Sequence, residues 1–351
     1  MIRIPVRYWP VKSRILSKSL QRRSMDDICL SRTMICPEET AQMPPVAMPR
    51  EHRVLVTTSQ LETTLDHEWN RIAGYEAQHK ATERYTFSNV LATPYGFFVD
   101  RHGFNQLDHP SLGALKSAQI HKADMGFFGL STASIKYFGH WMLDGLPATL
   151  LRQPGEELYF PVNQSWRHAN SYLDLLEIDR LKHDFVLFET MSFCVDIGQN
   201  SNRRSRTKSI QDTLRSKTPN GNKRVYISRG HTGANRLLTN EAELVAALEG
   251  VGFVTVPVTA PLEDILAACT GADVSVSIEG SHMSHVFFLS SPGAFHVTIN
   301  PVDRFNNVYA DYMPSLDMRL GTFVAKVDDD GYRVDVPGLL EFLTENMAIA
   351  L

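Results

Sequence analysis

The rhythm of apolar and polar positions changes near the middle of the chain. From Arg224 onward, short apolar runs alternate with stretches of helical period: RVYIS (224–228), GFVTVPV (252–258), DVSVSI (273–278) and FHVTINP (295–301). Runs this short, rich in Val and Ile and bounded by Gly, Pro or Asn, read as buried strands. Between them, 240–248 reads as a helix with Asn240 as N-cap, Glu243 completing a capping-box pattern and Gly250 just beyond its end. LEDILAACTG (262–271), behind Pro261, reads as a second helix closed by Gly271, and HMSHVFFLSS (282–291) as a third. Strands separated by helices of this size call for a parallel sheet of Rossmann type. FVAKVDDDGYRVDV (323–336) alternates around an Asp-Gly turn and reads as a hairpin, with the Asp328-Asp329-Asp330 run assigned to turn chemistry rather than to a metal. A last helix is expected over 338–347.

The first half is less regular. RVLVT (53–57) and RYTFSNVLATPYGFFVD (84–100) read as strands, the latter folded at Pro94-Tyr95-Gly96. ELYFPV (157–162) and FVLF (185–188) read as further strands, with a helix near 171–176 between them. The class expected is therefore α/β in both halves. The intervening 199–223 is polar and ends in Pro219-Asn220-Gly221, the composition of a linker; its Arg203, Arg204, Arg206 and Lys208 would be solvated or would contact phosphates. The division expected is a basic and proline-rich segment at 1–50, an α/β domain at 51–198, the linker at 199–223, and a Rossmann-like domain at 224–351.

A length of 351 residues with 43% hydrophobic and 21% charged residues is enough for two cores. The formal net charge of -4 argues against a protein that coats nucleic acid. No apolar run reaches the roughly 20 residues of a membrane span. The four cysteines form no CxxC pair and read as free thiols of a reducing cytoplasm. The first 23 residues carry seven Lys or Arg and no Asp or Glu. Such a start either touches an anionic membrane surface at the periphery or stays loosely attached, and is expected to be dispensable for folding.

Two constellations carry chemistry. In KYFGHWMLDGLP (136–147), His140 and Asp144 are one turn apart, so on a helix they share a face. They are either a buried His held by a carboxylate or an acid–base pair; Trp141 between them, in so apolar a run, fits the core. In the second half, the junction Glu279-Gly280-Ser281 follows a strand. Gly280 would let a phosphate approach the backbone, Ser281 would donate a hydrogen bond, and Arg229 and Arg236 after the RVYIS strand would grip the phosphate oxygens. His282 faces the same ligand or packs. His282 and His285, three apart, also resemble two zinc ligands, but the neighbouring sequence supplies no third.

Together these residues resemble the glycosyltransferases of family 61. The family's aromatic–x–His–Trp–x–x–Asp–x–x–Pro motif is met by Phe138, His140, Trp141, Asp144 and Pro147. RVYISRG (224–230), Arg236 with Asn240-Glu241, Gly252-Phe253 and the Gly-Ser junction are similar to its second half. The chain departs from the family at Glu279, where many members have His; a Glu there would bind a ribose or sugar hydroxyl.

The resemblance implies a GT-B-like fold, two Rossmann-type domains facing a cleft, and inverting transfer of a sugar from a nucleotide diphosphate sugar to a glycan or glycolipid acceptor in capsular, exo- or lipopolysaccharide biosynthesis. His140 and Asp144 become the catalytic pair. Arg229, Arg236, Glu279, Gly280, Ser281 and His282 become the donor site, and Trp141 an acceptor contact. With no DxD at a strand end of the donor region, the expected mechanism needs no metal or other cofactor. A non-catalytic nucleotide- or carbohydrate-binding protein on the same fold is the alternative, and a zinc hydrolase using His282 and His285 a third reading.

Overall fold

The computed structural model describes residues 5–17, 23–100, 102–107, 111–230 and 236–347. Among these the strands are, in chain order, β1 (Ser31–Cys36), β2 (Glu39–Met43), β3 (Tyr75–His79), β4 (Thr82–Thr93), β5 (Gly96–Val99), β6 (His102–Phe104), β7 (Ile120–Phe128), β8 (Glu157–Tyr159), β9 (Phe185–Val195), β10 (Arg224–Ser228), β11 (Val254–Pro257), β12 (Val274–Ile278), β13 (Ala294–Pro301), β14 (Met318–Asp328) and β15 (Gly331–Arg333). The chain divides into two compact units. One comprises 1–39 and 79–206, the other 40–78 and 207–351.

The first unit is built on a sheet of order β6-β5-β4-β9-β7-β8, with β1 also paired to β4. β4 runs antiparallel to β1, β5 and β9; only β7 lies parallel to its neighbours β8 and β9. The sheet is α/β but mixed, not the all-parallel sheet that a Rossmann-type reading implies. The expected hairpin at Pro94-Tyr95-Gly96 is the β4–β5 turn, and the alternation of β4 buries Phe87 against Phe97 and Phe104.

The basic start contributes to this unit. Val6–Tyr8 and Trp9–Ser17 are helical, and Val6, Trp9 and Val11 pack on Leu91, Phe98, Leu115 and Phe185. The expectation that this segment is dispensable fails because three apolar residues among the cations find a buried partner surface; Arg3, Lys18 and Arg22 lie outside the described residues. Deleting residues 1–23 is therefore expected to cost on the order of 2–4 kcal/mol, the worth of a few partly buried apolar side chains, seen as an earlier midpoint in urea.

The second unit carries a sheet of order β11-β10-β12-β13-β14-β15. β10 to β14 are parallel and β15 is antiparallel to β14 across the Asp-Gly turn. Counting only the parallel strands, the order is 2-1-3-4-5. The direction of winding reverses between β10 and β12, and in such sheets ligands bind beyond the strand carboxyl ends at that point. Every residue of β12 and β13 is buried, including the polar Ser275, Ser277, His296, Thr298 and Asn300, as expected of parallel strands covered on both faces.

Two expectations about the connections are corrected. RVLVT is not a strand: Arg50–Val54 forms a 3-10 turn, and the Nδ1 of buried His52 accepts a hydrogen bond from Val324 N at 3.1 Å. The polar stretch expected as a linker forms a helix over Ser201–Ser216. Its amino end is capped by Asn200, whose Oδ1 accepts from Arg203 N at 3.1 Å. Arg203 is 1% exposed and Arg206 is 7% exposed, because buried carboxylates meet them. Among the described residues no helix is long and apolar enough to cross a membrane.

Candidate functional site

In the first unit, Phe138 to Thr149 is one helical run whose middle, Trp141–Gly145, is a π-turn. A π-turn adds a residue to the helical repeat and is frequent at functional sites. Trp141, Met142, Leu143 and Leu146 are buried in the core. Gly145 is needed here, since a Cβ would come within 2.8 Å of Leu130 and 3.1 Å of Phe160. His140 and Asp144 lie on the other side, with 28% and 15% of their side chains exposed, and His140 Nδ1 is 2.6 Å from Asp144 Oδ2.

Asp144 is anchored in turn. Arg203 bonds its Oδ1 through Nη2, donates to Leu143 O at 3.0 Å, and reaches the backbone carbonyl of Asp196. Arg206 binds both oxygens of Asp196 at 2.8 and 2.9 Å and donates to Pro147 O at 2.9 Å. Two arginines and two carboxylates thus fix the turn that carries His140. An ionised Asp144 accepts the Nδ1 proton, so the basic lone pair of the neutral imidazole is on Nε2.

Arg203, expected to be solvated or to contact phosphates, instead holds Asp144, a role that polarity alone does not reveal. The one usable signal was Asn200, a good N-cap three residues before it. Trp141 is corrected: it is fully buried against Phe138, Phe160 and Trp166, and so supports the turn instead of presenting a face to an acceptor sugar.

In the second unit, Arg229 leaves the carboxyl end of β10 and Glu279-Gly280 that of β12, on either side of the point where the winding reverses. Arg229 and Arg236 donate to Glu279 O at 2.8 and 2.7 Å. Arg236 also pairs with the Glu279 carboxylate, Arg304 Nε lies 3.9 Å from it, and Asn306 Nδ2 donates to it at 3.4 Å. Tyr309 OH donates to Gly280 O at 3.3 Å. Burial, and then repulsion from Arg236, push Arg229 down to about 10, which still leaves it charged at neutral pH.

The expected donor residues therefore gather, with two differences. Gly280 is required because a Cβ would lie 2.6 Å from Arg229 Nη1, so the guanidinium occupies the approach expected for a phosphate. Ser281 opens a 3-10 turn, Ser281–Met283, before the short helix Ser284–Leu289. The arginines, not a long helix dipole, supply the positive charge. Arg304, Asn306 and Tyr309 were missed, because the loop after β13 has no motif.

His282 is buried beneath the turn and held well below the ordinary histidine range by burial and then by Arg229; burial alone takes His296 down to about 3. His296 shares a 2.7 Å hydrogen bond with Ser275 Oγ. Among the described residues no group of three or more His, Cys, Asp or Glu could hold a metal, so His282 and His285 gain no third ligand there. Both depressed imidazoles are neutral in the fold, while the unfolded chain takes up protons below about pH 6.5. Their contribution to stability is complete above that pH and declines as the pH falls towards the folded values, by about 1.4 kcal/mol per pH unit for each. Melting temperature is expected to drop between pH 6.5 and 5, with a shallower slope in His296→Asn.

The family model of Glycosyltransferase 61 matches residues 138–295. That interval, somewhat under half of the chain, begins at the aromatic residue two before His140 and ends in β13, past the Glu279-Gly280 turn. No match is found among curated proteins. The family match makes the protein an enzyme, a glycosyltransferase. Through this interval the chain is similar to glycosyltransferase family 61.

Proposed function

We propose that the protein is an inverting glycosyltransferase using a nucleotide diphosphate sugar as donor and a hydroxyl of a glycan or glycolipid as acceptor. The observation that carries the reading is the convergence of three arginines on one residue, Glu279, at the winding reversal of a parallel sheet: Arg229 at its backbone carbonyl, Arg236 and Arg304 at its carboxylate. Such an excess of partly desolvated positive charge favours an anionic ligand, and a departing diphosphate supplies one. The proposal carries with it the GT-B-like arrangement implied by the family resemblance.

In the reaction, His140 Nε2 takes the proton of the acceptor hydroxyl while its oxygen attacks the anomeric carbon. The bond from that carbon to the β-phosphate oxygen breaks on the opposite face, which inverts the centre. The electron pair leaves with the nucleoside diphosphate, where the arginines offset its growing charge. Asp144 holds the Nδ1 proton and stabilises the imidazolium that forms.

A thermal-shift panel of nucleoside diphosphates and nucleotide sugars tests the donor half, since a ligand at a hundred times its dissociation constant adds about 2.7 kcal/mol. In Arg229→Ala the response to the best nucleotide is expected to shrink, each lost charge-assisted bond costing roughly 1.5–3 kcal/mol. Nucleotide affinity unchanged in both Arg229→Ala and Arg236→Ala would remove the site.

A further inference from the structure

The segment 40–78 comes from the first part of the chain but belongs to the second unit, and its contacts concentrate on the loop after β13. Thr57 N donates to Val302 O at 2.9 Å, Phe305 N to Thr58 O at 3.0 Å, and Gln60 N to Phe305 O at 3.0 Å. The following helix, Leu65–Ala73, sets a fully buried carboxylate, Glu68, against the same loop: Glu68 Oε2 accepts from Asn307 N at 2.6 Å. Its other oxygen accepts from Thr63 Oγ1 at 2.8 Å and pairs with Arg71 at 2.5 Å. Arg71 continues to Asp311 through two bonds, and Tyr75 OH donates to Asp311 at 2.9 Å.

The loop gripped at Asn307 and Asp311 is the one that carries Arg304, Asn306 and Tyr309 to the Glu279-Gly280 turn. A buried carboxylate is costly to hold unless it is paired and hydrogen-bonded. Here the hydrogen bond goes to the backbone amide next to Asn306, a residue of the donor site. We propose that Glu68, with Arg71, is a positioning residue of the donor site, fixing the loop so that Arg304 and Asn306 meet the diphosphate. The inference rests on the donor-site reading above, and assigns to the segment 40–78 a part in that site.

The test is calorimetric titration of the full chain with inorganic pyrophosphate, with melting temperature measured on each preparation. Glu68→Gln keeps the shape and removes the charge; it is expected to weaken binding at least tenfold. In an Arg304→Ala background the same change is expected to add little, because both act through one contact. Leu248→Ala, a core change far along the chain from the loop, is expected to lower the melting temperature while leaving affinity within twofold. If Glu68→Gln does not fold, Asp311→Asn, at a half-buried site of the same network, is expected to weaken binding several-fold.

Weakened binding in Arg229→Ala with wild-type affinity in folded Glu68→Gln, or in Asp311→Asn, overturns the positioning role and leaves the donor site standing. Full additivity with Arg304→Ala also overturns it. Wild-type protein that binds no pyrophosphate, or binding indifferent to Arg229→Ala, removes the donor site and the positioning role together.

Discussion

A folded His140→Asn protein is expected to transfer sugar roughly 10²–10⁴ times more slowly than wild type, with donor affinity retained. Asn keeps part of the ring's size and can still bond Asp144, but it cannot take a proton. The 2.6 Å contact between His140 Nδ1 and Asp144 predicts a second effect. Asp144→Asn removes the charge that orients the ring, and is expected to slow transfer less than loss of the imidazole does. A larger loss in Asp144→Asn would make the carboxylate the base. If the pair serves only the fold, His140→Asn lowers the melting temperature and the folded fraction turns over normally. Melting and initial rates on one preparation separate these outcomes, and a stable His140→Asn enzyme with full turnover would end the assignment.

Arg203→Met is expected to destabilise the protein by about 3–5 kcal/mol, the cost of removing one partner from a buried ion pair. Arg203 meets Asp144 and Asp196 at 1% exposure. Without it, Asp144 keeps only His140 of these partners, and Asp196 keeps Arg206. The urea midpoint measures the loss. Arg203→Lys restores a charge without the planar fork that reaches two groups at once, so it should recover part of the stability and less of the rate. A wild-type midpoint in Arg203→Met would mean that the network contributes nothing to the turn.

The contrast between the two units shows which signals a sequence can carry. β12 and β13 are covered on both faces, and their short Val-, Ile- and Phe-bearing runs, though interleaved with Ser, His and Thr, marked them as strands between turn residues. The i, i+4 spacing of His140 and Asp144 survived the π-turn because the bulge shifts the buried residues without separating this pair. The helix Ser201–Ser216 was hidden for the opposite reason. The buried face of its first half is made of Arg203 and Arg206, which meet Asp144 and Asp196, and only Ile210 and Leu214 are apolar on its second half, so no continuous apolar stripe marks it. Asn240 was legible only in part. It does precede the helix Glu241–Gly250, but its amide bonds Val334 O at 2.9 Å and accepts from Val334 N at 3.1 Å, joining strand-like backbone 94 residues away instead of capping. Arg53 to Thr57 was read as a strand from its valines, yet Val54 is 85% exposed. The buried group there is His52, and no periodicity announces a single residue.

The discontinuous second unit also sets an order of events during synthesis. His52 and its backbone partner Val324 are 272 residues apart, and Ala47 bridges Gly321. At 5–20 residues per second, the segment 40–78 emerges from the ribosome about 15–55 s before the strand it must join. Its helix is short, and a two-stranded ribbon such as β2 with β3 is marginal by itself in water. For that interval its apolar residues, Trp69 and Ile72 among them, have no core to enter. Any binding factor that shields nascent chains would find its target there, well before the active enzyme can assemble.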